Sequence, residues 1–193
     1  MPRLEETDGV GVVSSRIPQQ SAESGPNRRE LEAGLSAELA SAVSGARRRA
    51  LRDGDRQIDT AHLLHSLLES DPGVRAVFDG GPQIARLLGY LVQRSIGYGL
   101  RWQSTVENSG AVPVVTEAGW SPVAAGAMEE AYERAALRGD EQARGLDLLA
   151  AAIADPQSRA VEVLGRAGVD ARVLLGRIEP GAEEYAGRGD GGC

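Results

Sequence analysis

The chain has 193 residues, room for one domain of ordinary size, with 41% hydrophobic and 4% aromatic residues and a formal net charge of −7. All 21 basic residues are arginine. A GxxxxGK[ST] phosphate loop, a Schiff-base lysine and a kinase-type catalytic lysine are therefore excluded from this sequence.

Ala and Leu supply most of the apolar volume, which favours close-packed helices over a β-sandwich. Residues 1 to 32 are rich in Ser, Gly, Pro and Gln without periodicity and read as a disordered tail. No positive stretch leads there into an apolar core, so no signal peptide is expected. Ser36 reads as the N-cap of a first helix, with Leu39, Ala42, Val43, Ala46 and Ala50 at helical spacing and Gly54 at its end. Asp59 caps a second helix with the stripe Leu63, Leu64, Leu67 and Leu68, and Ile58 stands where it would staple to Leu63. Asp71-Pro72 stops that helix and starts a short third. A fourth runs through Ile84, Leu87, Leu88, Leu91 and Ile96. Residues 97 to 119, with GAVPVVTEAG, read as an extended linker.

The pattern then starts again. Ser121-Pro122 places a cap before proline at the first helical position, and Gly139 ends that helix. Asp155-Pro156 marks the next boundary, and Val173, Leu174 and Ile178 match the earlier fourth helix. A shift of 85 residues lays Ser36 on Ser121, Ala42 on Ala127, Ala46 on Ala131, Arg49 on Arg134 and Ala50 on Ala135. It also lays Gly54-Asp55 on Gly139-Asp140, Gln57 on Gln142 and Leu63-Leu64 on Leu148-Leu149. So ordered an identity is an internal duplication. The expected fold is all-α: a duplicated four-helix repeat of about eight helices around a pseudo-twofold. The ordered unit is expected over 33–178, with repeat one at 33–96, a linker at 97–119, repeat two at 120–178 and a second disordered tail at 179–193.

Both histidines stand in DTAHLLHSLLESDP, at 62 and 65. Positions three apart share a helix face, as two metal ligands would. The sole cysteine, however, is the last residue, Cys193, so carboxylates would have to complete any site. A helical wheel turns both imidazoles away from the leucine stripe, towards capping, packing or solvent. No metal and no cofactor are expected. Arg47, Arg48 and Arg49, with Arg52 and Arg56, form a stripe that could touch phosphates, which gives an alternative reading as a helical nucleic-acid-binding or transcription-regulating protein. Beside Asp53 and Asp55, the plainer reading of that stripe is an ion-paired, solvated face. Glu129, Glu130 and Glu133 have no nucleophile or base with them, and no Ser/His/Asp or Cys/His order exists, so no enzyme is expected. The longest apolar run, Leu148 to Ala154, cannot span a bilayer, and the cytoplasm is the default location. RGD at 188–190 reads as chance in a tail.

These residues carry a resemblance. A hydroxyl cap, an Ala-rich helix, a Gly turn and then I-x-T-x-H-x-L-L resemble the N-terminal repeat domain of the Clp unfoldases, in particular the ClpC-type domain with its G-x-x-x-I-G-T-E-H-I-L-L-G-L signature. Here the signature stands as Gly54, Ile58, Thr60, His62, Leu64 and Leu67, and the family's aromatic-Thr-Pro-x-Ala entry to the second copy as Trp120-Ser121-Pro122-Val123-Ala124. The resemblance covers about residues 33 to 178 and implies eight helices in two pseudo-symmetric halves. It also implies a protein that receives substrates, adaptors or peptide-like ligands for a Clp ATPase-protease. With no ATPase module in this sequence, the expectation is a non-catalytic, stand-alone accessory or competitor of such a complex.

The resemblance further implies where ligands would sit: Ser36, Thr60, Ala61, His62, Trp120, Ser121 and Leu146 around the helix starts. Some ClpC-type domains read phosphorylated arginine. There the first-helix hydroxyls help to hold the phosphate and the glutamate of T-E-H grips the guanidinium. Ser36 and Ser121 retain the hydroxyls, whereas Ala61 and Leu146 replace the glutamates. Copy one keeps Ile58, Thr60 and His62 where copy two has Ala143, Gly145 and Asp147, so the better-formed pocket is expected in copy one.

Overall fold

The computed structural model describes residues 33–95, 107 and 119–179. Both expected tails, Ile96 and most of the expected linker lie outside them. Eight helices lie within the described residues: α1 (Ala37–Asp53), α2 (Thr60–Ser70), α3 (Pro72–Ala76), α4 (Gly81–Ser95), α5 (Pro122–Arg138), α6 (Gly145–Ala154), α7 (Arg159–Arg166) and α8 (Ala171–Ile178). The all-α, duplicated architecture is as the sequence leads one to expect.

Local chemistry sets the boundaries. Ser36 Oγ accepts from Leu39 N at 3.2 Å, and Ser121 Oγ accepts from Ala124 N at 3.1 Å, so the two first helices start on the same cap. Both end on a left-handed glycine, Gly54 at φ 72° and Gly139 at φ 76°. A side chain would be strained there, which is why each turn carries glycine. Asp59 Oδ1 accepts from His62 N at 2.9 Å, and Asp59 N donates back to His62 Nδ1 at 3.2 Å, a closed capping box. The third helix of the second copy departs from expectation. Asp155-Pro156 forms only a turn, and α7 begins at Arg159, capped by Ser158 Oγ accepting from Val161 N at 3.2 Å. Val173, expected in the apolar face of α8, is exposed, while Leu174 is buried.

The core is organised around α2 and α6. α2 meets α1, α3, α4, α5, α6 and α7, and α6 meets α1, α2, α3, α5, α7 and α8. A helix enclosed on all sides has no wet face. Every residue from Thr60 to Leu68 is buried, as is every residue from Leu148 to Ile153. Of the expected roles for the imidazoles, capping, packing or solvent, the first two are what forms: His62 closes the cap of α2, and His62 is 1% and His65 5% exposed. The leucine stripe marks only the most apolar side of a helix that is buried all round.

Two short backbone bridges tie the copies, Leu35 with Ala143 and Ile58 with Trp120, both parallel. Ser36 N donates to Ala143 O and Ala143 N to Gly34 O, each at 2.9 Å. In the other bridge Ser121 N donates to Ile58 O at 2.8 Å and Ile58 N to Gly119 O at 2.7 Å. The 85-residue shift converts one set into the other. The lead-in to each first helix therefore pairs with the lead-in to the other copy's second helix.

Burial, followed by the Arg49 guanidinium, holds the His65 imidazole down to about 4 from 6.5. The unfolded chain therefore binds a proton that the native state refuses between those values. The contribution is complete above pH 6.5 and is lost as the pH falls towards 4. We expect a loss of order 2–3 kcal/mol over that window from this group. His65→Gln should flatten the dependence, read from urea midpoints against pH; an unchanged slope would show that His65 titrates normally.

Candidate ligand-binding site

The residues expected to hold ligand gather where the first helices of one copy meet the second helices of the other, but as a closed polar seat. Thr60, Ala61, His62 and Ser121 are each at most 1% exposed, and Trp120, Leu146 and Ser36 are half-buried. Ala61 belongs to the hydrophobic core, and Trp120 and Leu146 pack against it. Ser121 itself is fully buried.

Glu107 occupies the seat instead. Its side chain is buried, and its carboxylate accepts from Thr60 N at 3.0 Å, Ser121 Oγ at 2.6 Å, Arg159 N at 2.7 Å and the Thr60 hydroxyl. Thr60 and Arg159 are the first residues of α2 and α7, and Ser121 caps α5. One carboxylate thus satisfies donors from three helix starts, where backbone N–H groups and helix dipoles favour negative charge. Thr60 Oγ1 also accepts from Ala160 N at 3.0 Å, so this hydroxyl joins α2 to α7. Thr60 is accordingly a contact between helices and not the cap of α2, which is Asp59.

Beneath the seat lies an ionic cluster. Asp59, fully buried, receives the guanidinium of Arg159 at 2.5 Å and that of Arg94. Asp55 Oδ2 stands 3.2 Å from Arg94 and 3.0 Å from His62 Nε2. Burial alone would raise the Asp59 carboxyl; the His62 hydrogen bond, Arg94 and Arg159 more than reverse it and hold the group well below the usual carboxylate range. Asp53, Asp55 and His62 are close enough to be weighed as a cation site. Arginines already reach both carboxylates, Arg94 at Asp55 and Arg52 at Asp53, and His62 Nδ1 is committed to Asp59 N. The donor set fits a salt-bridged core better than a metal.

The pseudo-symmetric position is built differently. Gly145 starts α6 where Thr60 starts α2, and a Cβ on it would lie 2.0 Å from Asp71 Oδ2 and 3.1 Å from Leu67 Cδ2. Asp71 is held there because its Oδ1 caps α3, accepting from Gly73 N at 2.8 Å and Val74 N at 3.2 Å. Glycine at 145 makes room for this carboxylate. Asp147 secures the same helix start, accepting from Arg144 N at 2.8 Å and from both terminal nitrogens of Arg138, one at 2.7 Å. Both second-helix starts therefore face a carboxylate of the chain itself. Glu107, Arg94 and Arg159 were not singled out as site residues from sequence, since each acts on residues remote in the chain, and Asp71 was read only as a helix boundary.

No family model and no curated protein matches the sequence. Solved structures do match the fold. The N-terminal domain of the caseinolytic protease associated chaperone ClpD from Arabidopsis thaliana superposes with a TM-score of 0.59 at 19% identity, over 76% of this chain and 93% of that one. This is the Clp N-domain fold. A structure described as part of a malarial protein secretion system matches with a TM-score of 0.55 at 13% identity, over 76% of this chain and 93% of that one. The N-terminal domain of the ClpV1 ATPase of the E. coli EAEC Sci1 T6SS matches at 0.50 and 22% identity, over 81% and 92%. The Clp N-domain fold thus accounts for the all-α repeat architecture. Among the described residues no helix is long and apolar enough to cross a membrane.

Proposed function

We propose that this chain works by binding and not by catalysis. In this reading it is a recognition domain of the cytoplasm that receives substrates, adaptors or peptide-like ligands of a Clp ATPase-protease, and modulates that complex or competes with it. The observation that carries the reading is the likeness to nearly the whole N-terminal domain of a chaperone whose name associates it with caseinolytic protease. Glu107 adds a statement about ligand choice. The Ser121 hydroxyl, which the resemblance assigns to a phosphate, already donates to a carboxylate of the chain, and Ala61 and Leu146 offer a guanidinium no charged partner.

Two measurements test this. The purified chain should hydrolyse neither ATP nor peptide alone, yet should change the rate at which a Clp complex from the same host degrades a fluorescent casein. An unchanged rate, with no binding to that complex, would end the competitor model. Calorimetry with free phosphoarginine should show no tight binding. Stoichiometric occupancy of two sites would mean that Glu107 yields its seat and that the apolar replacements do not matter.

A further inference from the structure

A second feature lies away from the helix starts, where α1 meets the C-terminal end of α2, the part of α2 that carries the exposed Glu69. A groove of about 470 Å³ is lined by Arg48, Arg49 and Arg52 from α1, by Ser66 and Ser70 from α2, and by Glu69 at its rim. Gly45 forms part of its wall. A Cβ there would lie 3.1 Å from Ser66 Oγ and 3.9 Å from an Arg48 Nη atom, so the space beside Gly45 is bordered by a hydroxyl and a guanidinium.

Two polar atoms at this groove are buried without a hydrogen-bond partner, Ser66 Oγ and Arg49 Nε. Ser66 is 3% exposed, and a buried hydroxyl or guanidinium N–H left unpaired is costly. Arg49 spends one terminal nitrogen on Glu69, whose side chain is half exposed and whose other carboxylate oxygen stands 3.4 Å from His65 Nε2. Arg52 bonds the adjacent Asp53 through Nε, leaving its terminal nitrogens for other acceptors.

The duplication supplies a comparison within the same chain. The 85-residue shift carries Ser41, Gly45, Arg48, Arg49 and Arg52 onto Gly126, Glu130, Glu133, Arg134 and Leu137. Those residues, with Glu129, line a groove of about 580 Å³ on α5. That hollow is lined by α5 alone, with no residue of α6 in its wall, and its charge is reversed. The equivalent helix of the second copy thus forms with Glu133 and Leu137 in place of Arg48 and Arg52.

We propose that the groove between α1 and α2 is a binding site for a phosphoryl dianion, carried by a phosphomonoester or a diphosphate. Arg48, Arg49 and Arg52 supply forked donors to its oxygens, Ser66 Oγ donates a further hydrogen bond, and Glu69 gives up Arg49 as the ligand enters. His65 reports occupancy. Its Nε2 stands 3.4 Å from Glu69 Oε1. Burial and the Arg49 and Arg52 charges lower its titration point, and the charges of Glu69 and Asp53 raise it. A dianion that takes Glu69's place on Arg49 brings more negative charge than it displaces and raises that point further.

The test uses the full chain and pyrophosphate and phenyl phosphate as separate probes, followed by calorimetry and by NMR of the His65 imidazole. Saturable 1:1 binding of at least one probe, with a rise in the His65 titration point, is the expected result. Preference for pyrophosphate would indicate a diphosphate ligand, and preference for phenyl phosphate a phosphomonoester. Arg48→Glu with Arg52→Leu imports the second copy's residues at exposed positions and should weaken binding by about tenfold or more. Circular dichroism and the melting temperature should remain unchanged. Ser66→Ala, which keeps the arginines, should weaken it by a smaller factor. No saturable binding of either probe, or equal affinity in the arginine variant, would overturn the proposal. So would tight binding of duplex DNA with neither probe bound, or a salt-sensitive oligomer lost in the arginine variant, which would give the groove to a second copy's acidic face.

Discussion

Asp59→Ala should cost about 3–5 kcal/mol of folding stability, the scale for removing one partner from a buried ion pair. The carboxylate is fully buried, caps α2 through His62 N and receives Arg94 and Arg159. Without it Arg94, whose side chain is 6% exposed, loses the shorter of its contacts to Asp59 and Asp55. Asp59→Asn retains an acceptor for the cap but not the charge, and should cost less. The pH dependence has a defined sign. The folded carboxyl lies below its ordinary 3.8, so its contribution is complete above that value and is lost as the pH falls below it. Urea unfolding at neutral pH, repeated in acid, checks both statements. A loss under about 1 kcal/mol at neutral pH would mean that solvent reaches the pair.

Leu64→Ala should cost about 2–5 kcal/mol, because the side chain is 1% exposed in the middle of the most enclosed helix. Transfer of the lost methyl groups accounts for part, and the cavity for the remainder, since α2 is held by neighbours on every side and cannot shift to fill it. Leu64→Met, which conserves volume, should stay below about 1.5 kcal/mol. A loss under about 1 kcal/mol for the alanine variant would place the core elsewhere.

Features set by local chemistry were legible in the sequence. Ser36, Asp59 and Ser121 as caps, and Gly54 and Gly139 as terminators, depend on residues at most four positions away. The duplication was legible because the same short rules recur in order. What escaped depends on the distant chain. The burial of His62 and His65 follows from how many helices enclose α2, which no wheel drawn on α2 alone contains. Glu107 stands in a stretch without periodicity and meets Thr60 across 47 residues and Arg159 across 52. Gly145 looked like the loss of a useful hydroxyl, whereas Asp71 fills the space its side chain would need. Sequence thus pointed to the helix starts between the copies and missed that the chain supplies its own anion there.

The paired bridges bear on how such a chain could have arisen. Each copy carries both halves of the contact, a first-helix lead-in (Leu35 or Trp120) and a second-helix lead-in (Ile58 or Ala143). Neither half is satisfied by its own copy. A single-copy ancestor would have presented the same two unpaired edges, and two such molecules would have closed them reciprocally across a true dyad. Joining two such copies in one chain would fix the partners at equal stoichiometry and release each position from serving two environments at once. Thr60 could keep its hydroxyl while position 145 became glycine, and one groove could turn basic while its twin turned acidic.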